Sequence, residues 1–220
     1  MASRNFARCL SLVLDYEGGF SNRADDPGGA TMRGVTQRTY DSYRIGQGLS
    51  PQPVQNISQT ELQAIYRSGY WDRVCGDALP AGVDLAIFDF AVNSGPVRAV
   101  KMVQEIVGAD PDGAFGPETL TAVKRTDPAG LITELCLDRL QFLQGLSHWS
   151  TFKNGWQRRV RGIEAEALRM VDAPAAPRPQ PKPRPPSGSL NTTGSPVAPT
   201  FDLFRAVAAL FRAIVRAFRR

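Results

Sequence analysis

The stretch Ala81-Gly82-Val83-Asp84-Leu85-Ala86-Ile87-Phe88-Asp89-Phe90-Ala91-Val92-Asn93-Ser94-Gly95-Pro96 decides the fold class. Preceded by Pro80, it reads as a strongly apolar helix over 82–92, closing near Asn93-Ser94-Gly95-Pro96. Working toward the C-terminus, a helix over 97–107 follows. Asp110-Pro111-Asp112-Gly113 and Gly116-Pro117 then bracket a turn. Pro117 begins a helix over 118–124, Pro128 helps begin another over 129–145, and a last one covers 156–171. Toward the N-terminus, Ser58 with Glu61 three residues on forms a capping box for a helix through Tyr66. Ser50 to Gln55 is a Pro-punctuated loop, and Thr36 is an N-cap for a helix over 37–43. Phe6, Leu10, Val13 and Leu14 give a helix over 4–16, ended by Gly18-Gly19. Residues 20–35, rich in Asp, Gly, Asn and Pro, predict a loop or short hairpin. No convincing strand of any length is present, so the body is mainly α with one small loop/hairpin lobe.

Charge divides the chain. Its 26 Lys+Arg and 21 Asp+Glu give a net +5 over 220 residues. Residues 1–172 hold 18 basic and 20 acidic residues; residues 173–220 hold 8 basic and 1 acidic. The basic balance therefore belongs to the tail, and a slightly acidic body argues against a nucleic-acid partner.

Cys9, Cys75 and Cys136 are far apart and form no C-x-x-C pair, so free packed thiols are expected. His148 is the one His, which leaves too few ligands for a zinc centre, so no metal is expected. Arg4 and Arg8 precede the apolar run 9–14, but Asp15 and Glu17 follow at once. That run is too short for a secretory h-region, and the chain is expected to fold in the cytoplasm.

The chemistry concentrates in Glu17-Gly18-Gly19-Phe20, Asp25-Asp26-Pro27-Gly28-Gly29-Ala30-Thr31 and Gly34-Val35-Thr36. Glu17 stands where an apolar helix ends in two glycines, an arrangement that can hold a carboxyl partly buried at a cleft edge. Burial disfavours the charged form of a carboxyl, which suits a general acid. Asp26, in the wetter loop, can stay ionised. Two carboxyls in unlike surroundings are the usual equipment for cleaving a glycosidic bond. Thr31 or Thr36 could position a water, although a cap accounts equally well for Thr36.

These motifs together resemble the glycoside hydrolase family 108 lysozymes, many of them phage endolysins. The likeness continues through Gly69-Tyr70-Trp71-Asp72 and Phe88-Asp89-Phe90-Ala91-Val92-Asn93-Ser94-Gly95. It enters that family's predicted peptidoglycan-binding region at Asp112-Gly113-Ala114-Phe115-Gly116-Pro117-Glu118-Thr119. It ends with Arg139-Leu140-Gln141-Phe142-Leu143 and Trp149-Ser150-Thr151-Phe152 followed by Gly155-Trp156. Phe20 stands where the family usually has Tyr. The resemblance implies a lysozyme-like body, with a catalytic region over 1–96 and a peptidoglycan-binding helical region over 97–172 packed on it. It implies Glu17 as general acid and Asp26 as a weaker partner. Asp25 could exchange roles with Asp26, and Thr31 and Thr36 compete for the third place. The substrate would be peptidoglycan, cut between N-acetylmuramic acid and N-acetylglucosamine, with no metal or organic cofactor. Phe20, Tyr70, Trp71, Trp149 and Trp156 are aromatic candidates for stacking on sugar, and core packing is the competing reading of each. Asn93 could bond an N-acetyl group or simply cap its helix. A lytic transglycosylase, which also needs one acidic Glu, and a non-catalytic wall-binding or membrane-permeabilising protein are the alternatives.

Residues 173–200 hold 9 of the 17 Pro and read as an extended linker. In residues 201–220, Arg205, Arg212, Arg216 and Arg219 fall on one narrow helical face. Phe204, Phe211, Phe218 and their aliphatic neighbours cover most of the rest. Five Arg argue against a spanning helix and for an interfacial one on an anionic bacterial membrane or envelope. Phe204, Arg205, Phe211, Arg212, Arg216 and Phe218 are its expected membrane contacts. An endolysin of this kind is expected to wait in the host cytoplasm for a holin, then act in the periplasm or cell wall.

Overall fold

Residues 4–22 and 29–172 are described by the structure, a computed structural model. Asp25 and Asp26, the linker and the 201–220 segment lie outside the described residues. The elements run α1 (Arg4–Glu17), β1 (Phe20–Ser21), β2 (Thr31–Met32), β3 (Val35–Thr36), α2 (Gln37–Gly46), α3 (Gln59–Tyr66), α4 (Val83–Ser94), α5 (Pro96–Val107), α6 (Pro117–Arg125), α7 (Pro128–Gln144) and α8 (Trp149–Asp172). The fold is mainly α and lysozyme-like, with one small antiparallel sheet in the order β1-β2-β3.

The apolar stretch that opens the sequence argument is α4, and ten of its twelve residues are buried. A helix apolar on every face has no solvent side and must be surrounded. Here α1, α5, α7 and α8 all pack on it. Phe88 meets Phe6, Tyr66 and Trp71 in edge-on contacts, with ring centroids 6.1, 6.5 and 5.3 Å away. Burying each such side chain contributes about 1.5–3 kcal/mol. Val13 and Phe88 from the first 96 residues share one core with Leu131, Ile132, Val160 and Ile163.

Three details differ from the sequence expectation. The chain after α3 does not leave the helical path at Tyr66. It continues through a π turn, Arg67–Trp71, and two short 3-10 turns, Asp72–Val74 and Gly76–Ala78. The wider π turn lets the consecutive residues Gly69, Tyr70 and Trp71 all face inward. Helix α8 starts at Trp149 instead of near 156. Gly155 costs a helix about 1 kcal/mol. Trp149, Phe152 and Trp156, spaced along one helical side, offset that cost by packing on one another. The 20–35 lobe contains three two-residue strands, where the sequence offered only a loop or short hairpin.

Candidate active site

Glu17 is the last residue of α1, and Gly18 at φ +72° turns the chain out of the helix. Its side chain is 15% exposed. The β2–β3 hairpin brings a second wall. Met32 pairs with Val35, and the two residues between them, Arg33 and Gly34, both have positive φ (47° and 77°). That is the two-residue turn whose twist matches paired strands. It lays Gly34 against the Glu17 carboxyl so closely that a Cβ there would stand 2.8 Å from Oε2 and 2.5 Å from the Tyr66 hydroxyl. Tyr66 donates its hydroxyl to the Arg33 carbonyl at 2.8 Å and so pins this turn. Burial, and then the nearby Glu17 charge, push the phenols of Tyr66 and Tyr70 well above their ordinary values. Both rings therefore stay neutral beside the carboxyl.

The third wall is α8. Arg159 Nη2 lies 2.8 Å from Glu17 Oε1 and 2.8 Å from Asp89 Oδ1, between the two carboxylates and without an N–H squarely aimed at either. Its Nε donates to Asp89 Oδ1 at 2.9 Å. Arg139, on α7, donates Nη1 to Asp89 Oδ2 at 2.7 Å. Burial alone would lower the Arg159 value. The carboxylates of Asp89 and then Glu17 outweigh it and hold the guanidinium charged. Burial would likewise raise Asp89, but Arg159 and Arg139 outweigh it and hold the carboxyl below its ordinary value. The result is a chain Arg139–Asp89–Arg159–Glu17 that ties α7, α4, α8 and α1 together at the carboxyl. Sequence reasoning missed Tyr66 and Arg159 as site residues, and quoted Gly34, Asp89 and Arg139 within motifs without giving them a role. One signal was available: an Asp at the centre of an apolar helix needs buried partners.

The other expected site residues fall into two groups. Phe20 is 42% exposed on β1, close in sequence to Glu17. Thr31 is half-buried on β2 opposite Ser21, its hydroxyl 3.4 Å from the Gly29 carbonyl. Asn93 is half-buried near the end of α4 and accepts from Ser94 Oγ at 3.1 Å. Trp71, by contrast, is a core residue and no sugar platform. It is 0% exposed, its indole N–H donates to Asp77 at 2.7 Å, and Phe6 and Phe88 crowd its ring. Tyr70 is buried against Tyr66. Thr36 is buried as the N-cap of α2, accepting from the Thr39 N–H at 3.2 Å, so its hydroxyl is engaged away from solvent. Cys9, Cys75 and Cys136 are free thiols, two of them buried. Burial pushes Cys136 up to about 12, which leaves it inert.

The glycosyl hydrolase 108 family model matches residues 10–95, and a predicted peptidoglycan domain matches residues 98–161. No curated protein matches the chain. A solved structure described as that of Brucella abortus SagA is similar, with 42% sequence identity and a TM-score of 0.70, over 80% of this chain and 100% of that one. With a glycosyl hydrolase match over residues 10–95, which include Glu17, and a 42% identical relative covered along its whole length, the chain belongs to the glycosyl hydrolase 108 family and is a glycoside hydrolase acting on peptidoglycan.

Proposed function

We propose that the protein is a lysozyme that cleaves the β-1,4 bond between N-acetylmuramic acid and N-acetylglucosamine, with Glu17 as general acid. The observation that carries this reading is the seat of Glu17. Arg159 fixes Oε1 at 2.8 Å, while Oε2 lies toward the Gly34 turn. A carboxyl anchored through one oxygen keeps the other in a defined place, and positioned proton transfer contributes 10²–10⁴-fold or so to such reactions. Glu17 delivers its proton to the leaving glycosidic oxygen. Water attacks the anomeric carbon with help from Asp26 or the Thr31 hydroxyl. Arg159 acts through Glu17 and is a positioning residue.

The wider setting we propose is that of an endolysin. It is held in the host cytoplasm until a holin admits it to the periplasm and wall, and the 201–220 segment works as an interfacial helix at an anionic envelope. The catalytic region is assigned to 1–96 and a glycan-binding region to 97–172.

Glu17→Gln tests the acid. It keeps the shape and an acceptor oxygen but has no proton of comparable acidity. Release of fragments from purified peptidoglycan is expected to fall by about 10²–10⁴-fold, with a cooperative thermal melt showing that the variant is folded. Turnover near the parent level would remove Glu17 from the mechanism. Mass spectrometry of the parent enzyme's products is expected to show reducing N-acetylmuramic acid ends. Ends of the 1,6-anhydro type would make the protein a lytic transglycosylase. Killing reproduced by the isolated tail, with Glu17 dispensable, would make it a membrane-permeabilising protein.

A further inference from the structure

We propose that Tyr16 is a positioning residue: seated in a notch that Gly162 leaves in α8, its ring closes over Arg159 and keeps that guanidinium on Glu17. The proposal rests on the reading of Glu17 as the general acid.

Arg159 reaches both carboxylates, but not in the same way. Its Nε donates to Asp89 Oδ1 at 2.9 Å. Its Nη2 lies 2.8 Å from Asp89 Oδ1 and 2.8 Å from Glu17 Oε1, with no N–H squarely aimed at either. Charge attraction holds Nη2 near Glu17, but it sets no angle as an aligned hydrogen bond would. The guanidinium can therefore pivot about its bond to Asp89, and a flat ring laid over it limits that pivot. Tyr16 supplies the ring. Its centroid is 5.6 Å from the guanidinium carbon of Arg159, within reach of a cation–π contact.

Tyr16 is 38% exposed, so burial alone does not hold this ring in place. The shape of α8 does. Gly162 stands three residues beyond Arg159, on the same side of the helix. A Cβ at 162 would lie 2.1 Å from the Tyr16 hydroxyl oxygen and 3.3 Å from the ring carbon that bears it. No Cβ packs at the first distance, so the ring lies across α8 because position 162 has no side chain. A glycine inside a helix is destabilising relative to alanine, and at 162 the seat of Tyr16 accounts for it. The other glycine of α8 differs: a Cβ at Gly155 meets nothing within 4 Å. Tyr16 and Glu17 are consecutive at the end of α1. One helix end thus delivers both the carboxyl and the ring that steadies its partner.

Soluble glycan strands of alternating N-acetylglucosamine and N-acetylmuramic acid give kcat and KM separately, at a temperature below the melt of every variant. Tyr16→Phe keeps the ring and is expected to turn over at the parent rate. Tyr16→Leu removes the ring face, and kcat is expected to fall by roughly threefold to tenfold at unchanged KM. Gly162→Ala reaches the same point from α8: its methyl displaces the hydroxyl, and kcat is expected to fall as in Tyr16→Leu. Adding Tyr16→Phe to Gly162→Ala removes the 2.1 Å collision and is expected to restore kcat. Gly155→Ala supplies the melting shift of a Gly to Ala change in this helix, against which the Gly162→Ala melt is read. A merely structural role would move the melts and leave the kcat of the folded proteins alone. If Tyr16→Leu does not fold, Gly162→Ala and its restoration by Tyr16→Phe decide. Parent kcat in Tyr16→Leu or Gly162→Ala overturns the proposal, as does a loss in Tyr16→Phe equal to that in Tyr16→Leu. A raised KM at parent kcat also overturns it and makes Tyr16 a substrate contact. Full turnover in Glu17→Gln removes the acid reading itself. An inactive Glu17→Gln beside an unimpaired Tyr16→Leu removes the role of Tyr16 alone.

Discussion

Asp89 is 0% exposed at the middle of the most apolar helix among the described residues, and it is answered from two other helices by Arg139 and Arg159. Three charges are stable there only because each is paired. Breaking a buried pair by removing one partner typically costs about 3–5 kcal/mol, more than an intact pair contributes over apolar packing. Asp89→Asn leaves two buried guanidiniums facing a neutral amide. It is expected to lower unfolding stability by about 3–5 kcal/mol in urea titration. It is also expected to lower turnover, because Arg159 loses the contact that aims it at Glu17. The pH dependence has a definite sign. The folded Asp89 value is depressed below the ordinary 3.8, so its contribution is fully present above that value and is lost as pH falls through the lower folded one. Below about pH 4 the parent therefore loses stability with a slope that Asp89→Asn lacks. Equal slopes in the two proteins would show that this carboxyl is not the group being titrated.

At the scale of elements, the parts the sequence predicted well are those set by local chemistry. The capping box at α3 is one. Ser58 Oγ accepts the Glu61 N–H at 3.2 Å, and Glu61 Oε2 accepts the Ser58 N–H at 3.0 Å. Ser58→Ala is expected to cost about 1 kcal/mol, seen as a lower urea midpoint at unchanged slope. A wild-type midpoint would mean that the Glu61 contacts to Arg44 and Tyr40 hold the helix start alone. Thr36 as a cap, Pro117 and Pro128 at first helical turns, and Gly18 after Glu17 were legible for the same reason. Elements fixed by long-range packing were not legible. The early start of α8 depends on rings packing despite Gly155. The π turn at Arg67–Trp71 depends on Phe6 and Phe88 packing edge-on against the Trp71 ring. The site divides along the same line. Glu17 could be picked from a helix end and two glycines. Its partners come from positions 34, 66 and 159, and no local pattern links them. Trp71 shows the converse: the sequence leaves sugar stacking and core packing both open, and three-dimensional packing puts the ring in the core.

For the whole molecule, the proposed function assigns catalysis and delivery to stretches of unlike charge. The described body belongs to a stretch with 18 basic and 20 acidic residues, which gives it no electrostatic pull toward an anionic envelope. The last 48 residues carry 8 basic and 1 acidic. The proposed role has 201–220 acting as an amphipathic helix, about 30 Å long if helical throughout, on a Pro-rich stretch that would reach about 3.1 Å per residue as polyproline II. Such a helix binds by burying its apolar side at the acyl boundary while arginines meet anionic headgroups, and salt weakens the second contribution. Deleting 201–220 therefore separates two activities. Fragment release from purified peptidoglycan is expected to persist, since Glu17 and Arg159 lie in the body. Leakage from vesicles containing anionic lipid, and killing of intact cells, are expected to be lost. In the full chain the leakage is expected to weaken as salt rises from 50 to 500 mM or so, through a Debye length that shortens with ionic strength. Unchanged leakage and unchanged killing after the deletion would reject the membrane role of the tail and leave the hydrolase intact.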